Sequence, residues 1–203
     1  MTSDVYKKFI ELAKYREDKE LLFLSIIFNV APIIEGHKPA SIISFSRNDK
    51  GLYYAWDNYK YELKDYCNLR YFELKRTDGY ILVMFYDSHK LSEALNEEKN
   101  IRFLKRFGYK NWSRIDKFLS LLKRRFEVAC PHEVGIFLGY PIEDVVGFMN
   151  NCGENCILCG YWKVYHNPDK AIELFRKYNK SKEHILELII RGTEPSALIK
   201  QVA

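Results

Sequence analysis

Apolar residues recur at two periods along this chain, and the switches between them mark out the elements. Val5, Phe9, Ile10, Leu12 and Ala13 fall at helical spacing, which predicts a helix over residues 3–15 with Ser3 as its cap. Residues 20–30 are apolar nearly all round and predict a second, almost fully buried helix. Pro32, Gly36 and Pro39 then predict a loop over residues 31–39. Residues 40–46 read as a short strand, and residues 54–67 as a tyrosine-rich helix. Strands at 69–74 and 80–86 flank Arg76-Thr77-Asp78-Gly79, and Asp-Gly between two β-rich runs signals a hairpin.

Further on, Ser88 caps a helix that runs to Phe107, breaks near Asn96 and is closed by Gly108. Ser113 caps another to Val128. After Cys130-Pro131, His132 to Leu138 reads as a strand. Gly139-Tyr140-Pro141 turns into a short helix with Pro141 first and Glu143 and Asp144 in its first turn, where the helix dipole favours carboxylates. Cys156 to Tyr165 reads as one more strand. Asn167-Pro168-Asp169 opens a helix to Lys180, Ser181 opens another to Ile190, and residues 192–203 leave room for a final turn. Together these elements predict an α+β fold: a single domain over residues 1–203, with a mixed or antiparallel sheet of about four to five strands and helices packed around it.

Composition changes that picture little. At 203 residues, 47% hydrophobic and 29% charged, the chain can bury one sizeable core. The high aromatic share, 15%, is first explained by core filling. The net charge is +5, but lysines and arginines are mixed with acids, and the densest cluster, Lys123-Arg124-Arg125, reads as a solvated helix face. No zinc finger, basic zipper, RNP sequence or KH loop is visible, so nucleic acid is not expected as a partner. No run approaches the roughly 18 apolar residues of a membrane span, and no basic-then-apolar leader is visible. Five cysteines, an odd number, suit a reducing compartment, so the expectation is a cytoplasmic protein without a membrane segment.

Candidate chemistry concentrates after Cys130. Cys152, Cys156 and Cys159 have the C-x3-C-x2-C spacing by which radical S-adenosylmethionine enzymes hold a four-iron cluster, and a zinc site completed by Cys130 or His132 is the other metal reading. On the expected strand, however, Cys156 and Cys159 point to opposite faces. Free thiols acting as small hydrophobes are the simpler reading, so no metal ligand is assigned. Phosphate loops, dinucleotide fingerprints and serine-hydrolase elbows are missing, and the sequence names no cofactor.

Two stretches nevertheless resemble a known family. Pro131-His132-Glu133-Val134-Gly135-Ile136-Phe137-Leu138-Gly139-Tyr140-Pro141-Ile142-Glu143-Asp144-Val145 and Cys159-Gly160-Tyr161-Trp162-Lys163-Val164-Tyr165 resemble DUF3793, a bacterial family of proteins of unknown function. Ala31-Pro32, Gly36-His37-Lys38-Pro39-Ala40 and Phe85-Tyr86-Asp87 resemble its earlier segments, so the likeness covers most of the chain. The resemblance implies no mechanism, but it points to Lys38, His132, Glu133, Tyr140, Asp144, Cys159, Trp162 and Lys163. Cys152 and Cys156 are not regular members of the pattern, and Val30 stands where members often carry a cysteine.

Two functional readings follow. In the first, a binding or accessory protein holds a small molecule, or an unnamed protein partner, in a pocket around these motifs; Lys38, Glu133, Tyr140, Trp162, Lys163 and Tyr165 bind the ligand. Alternation along the last strand places Trp162 with Val164 and Lys163 with Tyr165; if Trp162 is core, Lys163 and Tyr165 are free for an anion. In the second, a thiol-dependent enzyme uses Cys159 as nucleophile, His132 as base and Asp144 to orient it.

Overall fold

The computed structural model describes residues 3–49, 51–65, 69–110 and 114–200. Pleating divides the interior in two. Along one strand, β3 (Tyr80–Asp87), Ile81, Val83 and Phe85 join one apolar cluster, while Leu82, Met84 and Tyr86 join another. The antiparallel neighbours β1 (Ala40–Ser46) and β2 (Leu69–Arg76) flank it in the order β1-β3-β2. Ala40 pairs with Tyr86 and Ser46 with Tyr80, and a bulge between Glu73 and Lys75 shifts the register of β2.

The first face is covered by α1 (Ser3–Ala13), α2 (Asp18–Ile34) and α3 (Leu52–Tyr59). The second is covered by α4 (Ser88–Asn96), α5 (Glu98–Leu104), α6 (Ile115–Val128), α7 (Val134–Phe137) and α8 (Ile142–Asn150). A two-stranded antiparallel ribbon, β4 (Leu158–Cys159) and β5 (Lys163–Val164), leads into α9 (Pro168–Ile190) and α10 (Pro195–Lys200). Helix α2 is buried from Leu21 to Phe28 because it lies between the sheet and the pair α9 and α10. No helix among the described residues is long and apolar enough to cross a membrane.

The fold is α+β as expected, with a sheet smaller than expected: three strands, plus the separate ribbon. Several boundaries differ from the sequence reading. Helix α2 continues to Ile34 because Pro32 falls in its last turn, where one missing N–H is tolerated, and the end is closed by other bonds. Gly36 N–H donates to Ile33 O (2.9 Å) and His37 N–H to Pro32 O (2.8 Å), the paired bonds of a Schellman end. Asp87, one residue before Ser88, caps α4 by accepting from Lys90 N–H (2.8 Å). The break near Asn96 is present, between α4 and α5.

His132 to Leu138 forms a turn and the short helix α7 rather than a strand. An apolar run this short does not fix its period, and Gly139, at φ +76°, closes the helix as Tyr140 N–H bonds Gly135 O (2.9 Å). Cys156 to Tyr165 folds back on itself at Gly160 instead of extending. Helix α9 runs unbroken through Ser181, because Tyr178, Lys182, Ile185 and Ile189 keep the helical period across it. The expected helix over 54–67 is α3 plus a 3₁₀ stretch, Lys60–Asp65; its last two residues, the Ser113 cap and residues 201–203 lie outside the described residues.

The ribbon packs on α9 so closely that a β-carbon on Gly160 would stand 2.1 Å from the Phe175 ring. Gly160→Ala is therefore expected to destabilise the protein by roughly 1–3 kcal/mol. The readout is a lower denaturant midpoint with unchanged slope; an unmoved midpoint would contradict the packing.

Candidate functional site

A buried carboxylate organises the C-terminal motifs. Asp144, in the first turn of α8, is 2% exposed. Its Oδ2 accepts from Trp162 Nε1 (2.7 Å), and its Oδ1 from the backbone N–H groups of Tyr165 (2.7 Å) and His166 (2.8 Å). These bonds hold the ribbon and the start of α9 against α8. Trp162 is thereby fixed in the third apolar cluster, stacked on Tyr140 (4.8 Å between centroids, 25° between planes) and edge-on to Phe175 (4.6 Å). The expected alternation is present: Trp162 and Val164 are buried, Lys163 is exposed and Tyr165 half-buried. Lys163 and Tyr165 are both engaged, donating to Gly153 O (2.5 Å) and Glu154 O (2.9 Å), so they pin the loop after α8.

Tyr140 and Asp144 stand between two cavities. The smaller, about 310 Å³, lies between the two motifs and is bounded by His132, Val134, Val145, Phe148, Trp162 and Lys163. Its walls are mostly apolar, and its polar lining residues are His132, whose ring packs on Phe148 (5.2 Å), Lys163, Cys130, Tyr140 and the hydrogen-bonded Asp144. The larger, about 710 Å³, opens on the other side between the loop after α2, α4, α8 and the start of α9. Lys38 lines this second cavity. It is 8% exposed, and its Nζ lies over the rings of Tyr140 (5.6 Å) and Tyr178 (5.8 Å). Burial, reinforced by the charge of Lys182, lowers its pKa from 10.5 to about 7. Burial also pushes Tyr140 up to about 12.

The remaining residues singled out in the sequence lie apart from these cavities or serve other partners. Glu133 is 1% exposed, is ion-paired with Arg125 of α6 and accepts from the Tyr109 hydroxyl (3.3 Å). Arg125 is thus a bridge from α6 to the first motif rather than part of a solvated face. Cys159 is exposed on the ribbon with its Sγ 2.9 Å from that of Cys156, and this contact raises its pKa. No contact joins Cys159 to His132, and the three bonds to Asp144 come from the ribbon, not from the imidazole. Among the described residues no three Cys, His, Asp or Glu side chains converge to hold a metal.

Sequence reasoning missed Lys182, Tyr178, Phe148 and Arg125. For Lys182 the signal was present: it falls on the apolar stripe of α9 defined by Tyr178, Ile185 and Ile189, where a lysine is out of pattern. The Arg125–Glu133 pair crosses two elements and carries no local signature.

A family model described as Protein of unknown function (DUF3793) matches residues 26–199. No curated protein and no solved structure matches the chain.

Two outcomes follow from the geometry. Asp144→Asn turns one acceptor into a donor facing an N–H and is expected to cost about 2 kcal/mol and to change the near-ultraviolet Trp162 signal. An unchanged stability would mean that the three bonds are dispensable. For Lys38 the folded pKa lies below the unfolded one, so the folded state sheds this proton first and the burial penalty is full below about pH 7. Stability therefore rises with pH between about 7 and 10.5, by at most roughly 1.4 kcal/mol per pH unit from this group. Lys38→Met should be more stable than the parent at pH 6, with the advantage shrinking towards pH 10. A pH-independent difference in paired denaturant titrations would refute this.

Proposed function

The chain belongs to DUF3793, a family of proteins of unknown function, so its role must be sought in the site, and we propose that it is a cytoplasmic binding protein for a small molecule with an apolar body and one polar or anionic end. The observation that carries this reading is the cavity of about 310 Å³ between the two motifs. That volume holds roughly ten non-hydrogen atoms, taking about 30 Å³ for each. Val134, Val145, Phe148 and Trp162 would cover the apolar body, as ligand sites usually do with a few polar groups to fix orientation. His132 and Lys163 at its edge would receive the polar end, while Tyr140 backs the wall and Tyr165 and Glu133 hold the surrounding elements in place.

Hexanoate, octanoate and phenylacetate are suitable probes, followed by tryptophan fluorescence and by chemical-shift changes. Saturable binding by at least one of them is expected. Val134→Trp, which fills the pocket from its half-buried wall, should weaken that binding at least tenfold in a protein shown to be folded. Absence of saturable binding, or binding indifferent to Val134→Trp, would reject the site.

A further inference from the structure

The cavity on the far side of Tyr140 does not depend on the reading above and has its own chemistry. Lys38 is carried into it between Gly36, where α2 ends, and Pro39, whose ring lies against Gly139. A β-carbon on Gly139 would stand 2.5 Å from Pro39 Cδ, so only glycine lets this loop approach α7 so closely. The amine is buried yet meets no carboxylate and no hydrogen-bond acceptor among the described residues; its neighbours are two aromatic faces and a second buried lysine, Lys182. Lys182 is itself satisfied, by the Tyr6 hydroxyl (2.9 Å) and by the rings of Tyr6, Phe28 and Tyr161.

The rim of the same cavity carries charge of both signs. Its glutamates already have partners: Lys99 serves Glu97 (3.6 Å) and Glu143 (3.5 Å), and His89 faces Glu93 (3.5 Å). Lys90 makes no ion pair among the described residues, and the charge of Lys170 acts on Glu173 of its own helix. Deeper in, the Oδ1 of buried Asn100 accepts no hydrogen bond, although its Nδ2 donates to Ala94 O (2.8 Å) and Glu97 (3.1 Å).

We propose that Lys38 is a nucleophilic amine that condenses with a small aldehyde or α-keto acid entering through this cavity. The neutral Nζ adds to the carbonyl carbon, and the carbonyl oxygen takes up a proton to give a carbinolamine. Breaking the C–O bond and losing the nitrogen proton then gives an imine, so that amine plus carbonyl compound becomes imine plus water. No oxidant or reductant is required. The neutral amine that this step needs is populated near neutral pH because burial and a neighbouring cation disfavour the ammonium. The groups around Lys38 and its cavity that carry charge or titrate are His37 in its own loop, Lys90, Glu93 and Glu97 of α4 and its end, Lys99 of α5, Tyr140, Glu143 and Asp144 around the start of α8, His166, and Lys170, Tyr178 and Lys182 of α9. Asp144 is taken up by its three donors, which leaves Lys182 as the charge acting on the amine.

The test uses the full chain with glyoxylate and cyanoborohydride, which reduces any imine to a stable carboxymethyl-lysine, and locates the product by peptide mass spectrometry. Lys38 is expected to be modified at least tenfold faster than the average lysine at pH 7.5, with a rate that rises through a midpoint near pH 7. Lys182→Met, verified as folded by circular dichroism, should move that midpoint upwards, because the repelling charge is gone. Modification of Lys38 no faster than that of the exposed lysines, or a midpoint unmoved by Lys182→Met, would overturn the assignment.

Discussion

Three hydrogen bonds to one buried carboxylate hold the C-terminal third of this protein in place. Without Asp144, the buried indole N–H of Trp162 and the backbone N–H groups of Tyr165 and His166 would lose their acceptor, and leaving the indole unpaired costs more than its bond contributes. The partition between the two cavities follows from that anchoring. Trp162 is oriented by it, Tyr140 stacks on Trp162, and the ring pair forms the partition. The ribbon has only four strand residues and could not stand alone. It is ordered because α8 grips it from one side and α9 from the other.

Helix ends do the remaining positioning. The paired terminal bonds that close α2 put Lys38 two residues beyond Gly36, and those that close α7 put Tyr140 immediately after Gly139. The end of α8 uses the same geometry, with Gly153 N–H on Phe148 O (2.9 Å) and Cys152 at φ +50° where glycine is more usual. The loop so formed receives Lys163 and Tyr165. Three short-range backbone motifs thus place Lys38, Tyr140 and the loop that receives Lys163 and Tyr165, and a glycine at positive φ marks the first two.

What the sequence made legible, and what it hid, follows from the range of the forces involved. The central strands were readable because both of their faces are apolar and the Asp-Gly turn between them is a local signal. The segment from His132 to Leu138 was not, since Val134, Ile136 and Leu138 alternate like a strand while the bonds that decide the matter run to the carbonyls of Pro131, Glu133 and Gly135. Lys38, Tyr140 and Trp162 were singled out together, yet they fall on two sides of a wall that no residue spacing could show. The partners of Glu133 come from α6 and from Tyr109, and only the tertiary fold brings them together.

Helix α9 has 23 residues, which makes it about 35 Å long. Its first turns border the larger cavity and carry the ribbon, while Ile185, Leu186 and Ile189 are locked into the core beneath α2. Between the two halves, Ser181 and His184 are tied to Glu35 at 2.7 and 2.9 Å. A molecule that pressed on the cavity wall would be pushing on the long arm of a beam whose other end is clamped. If the cavity takes a ligand, a wall anchored in this way would lose little of the binding free energy to reshaping, and selection would fall to size and charge rather than to closure.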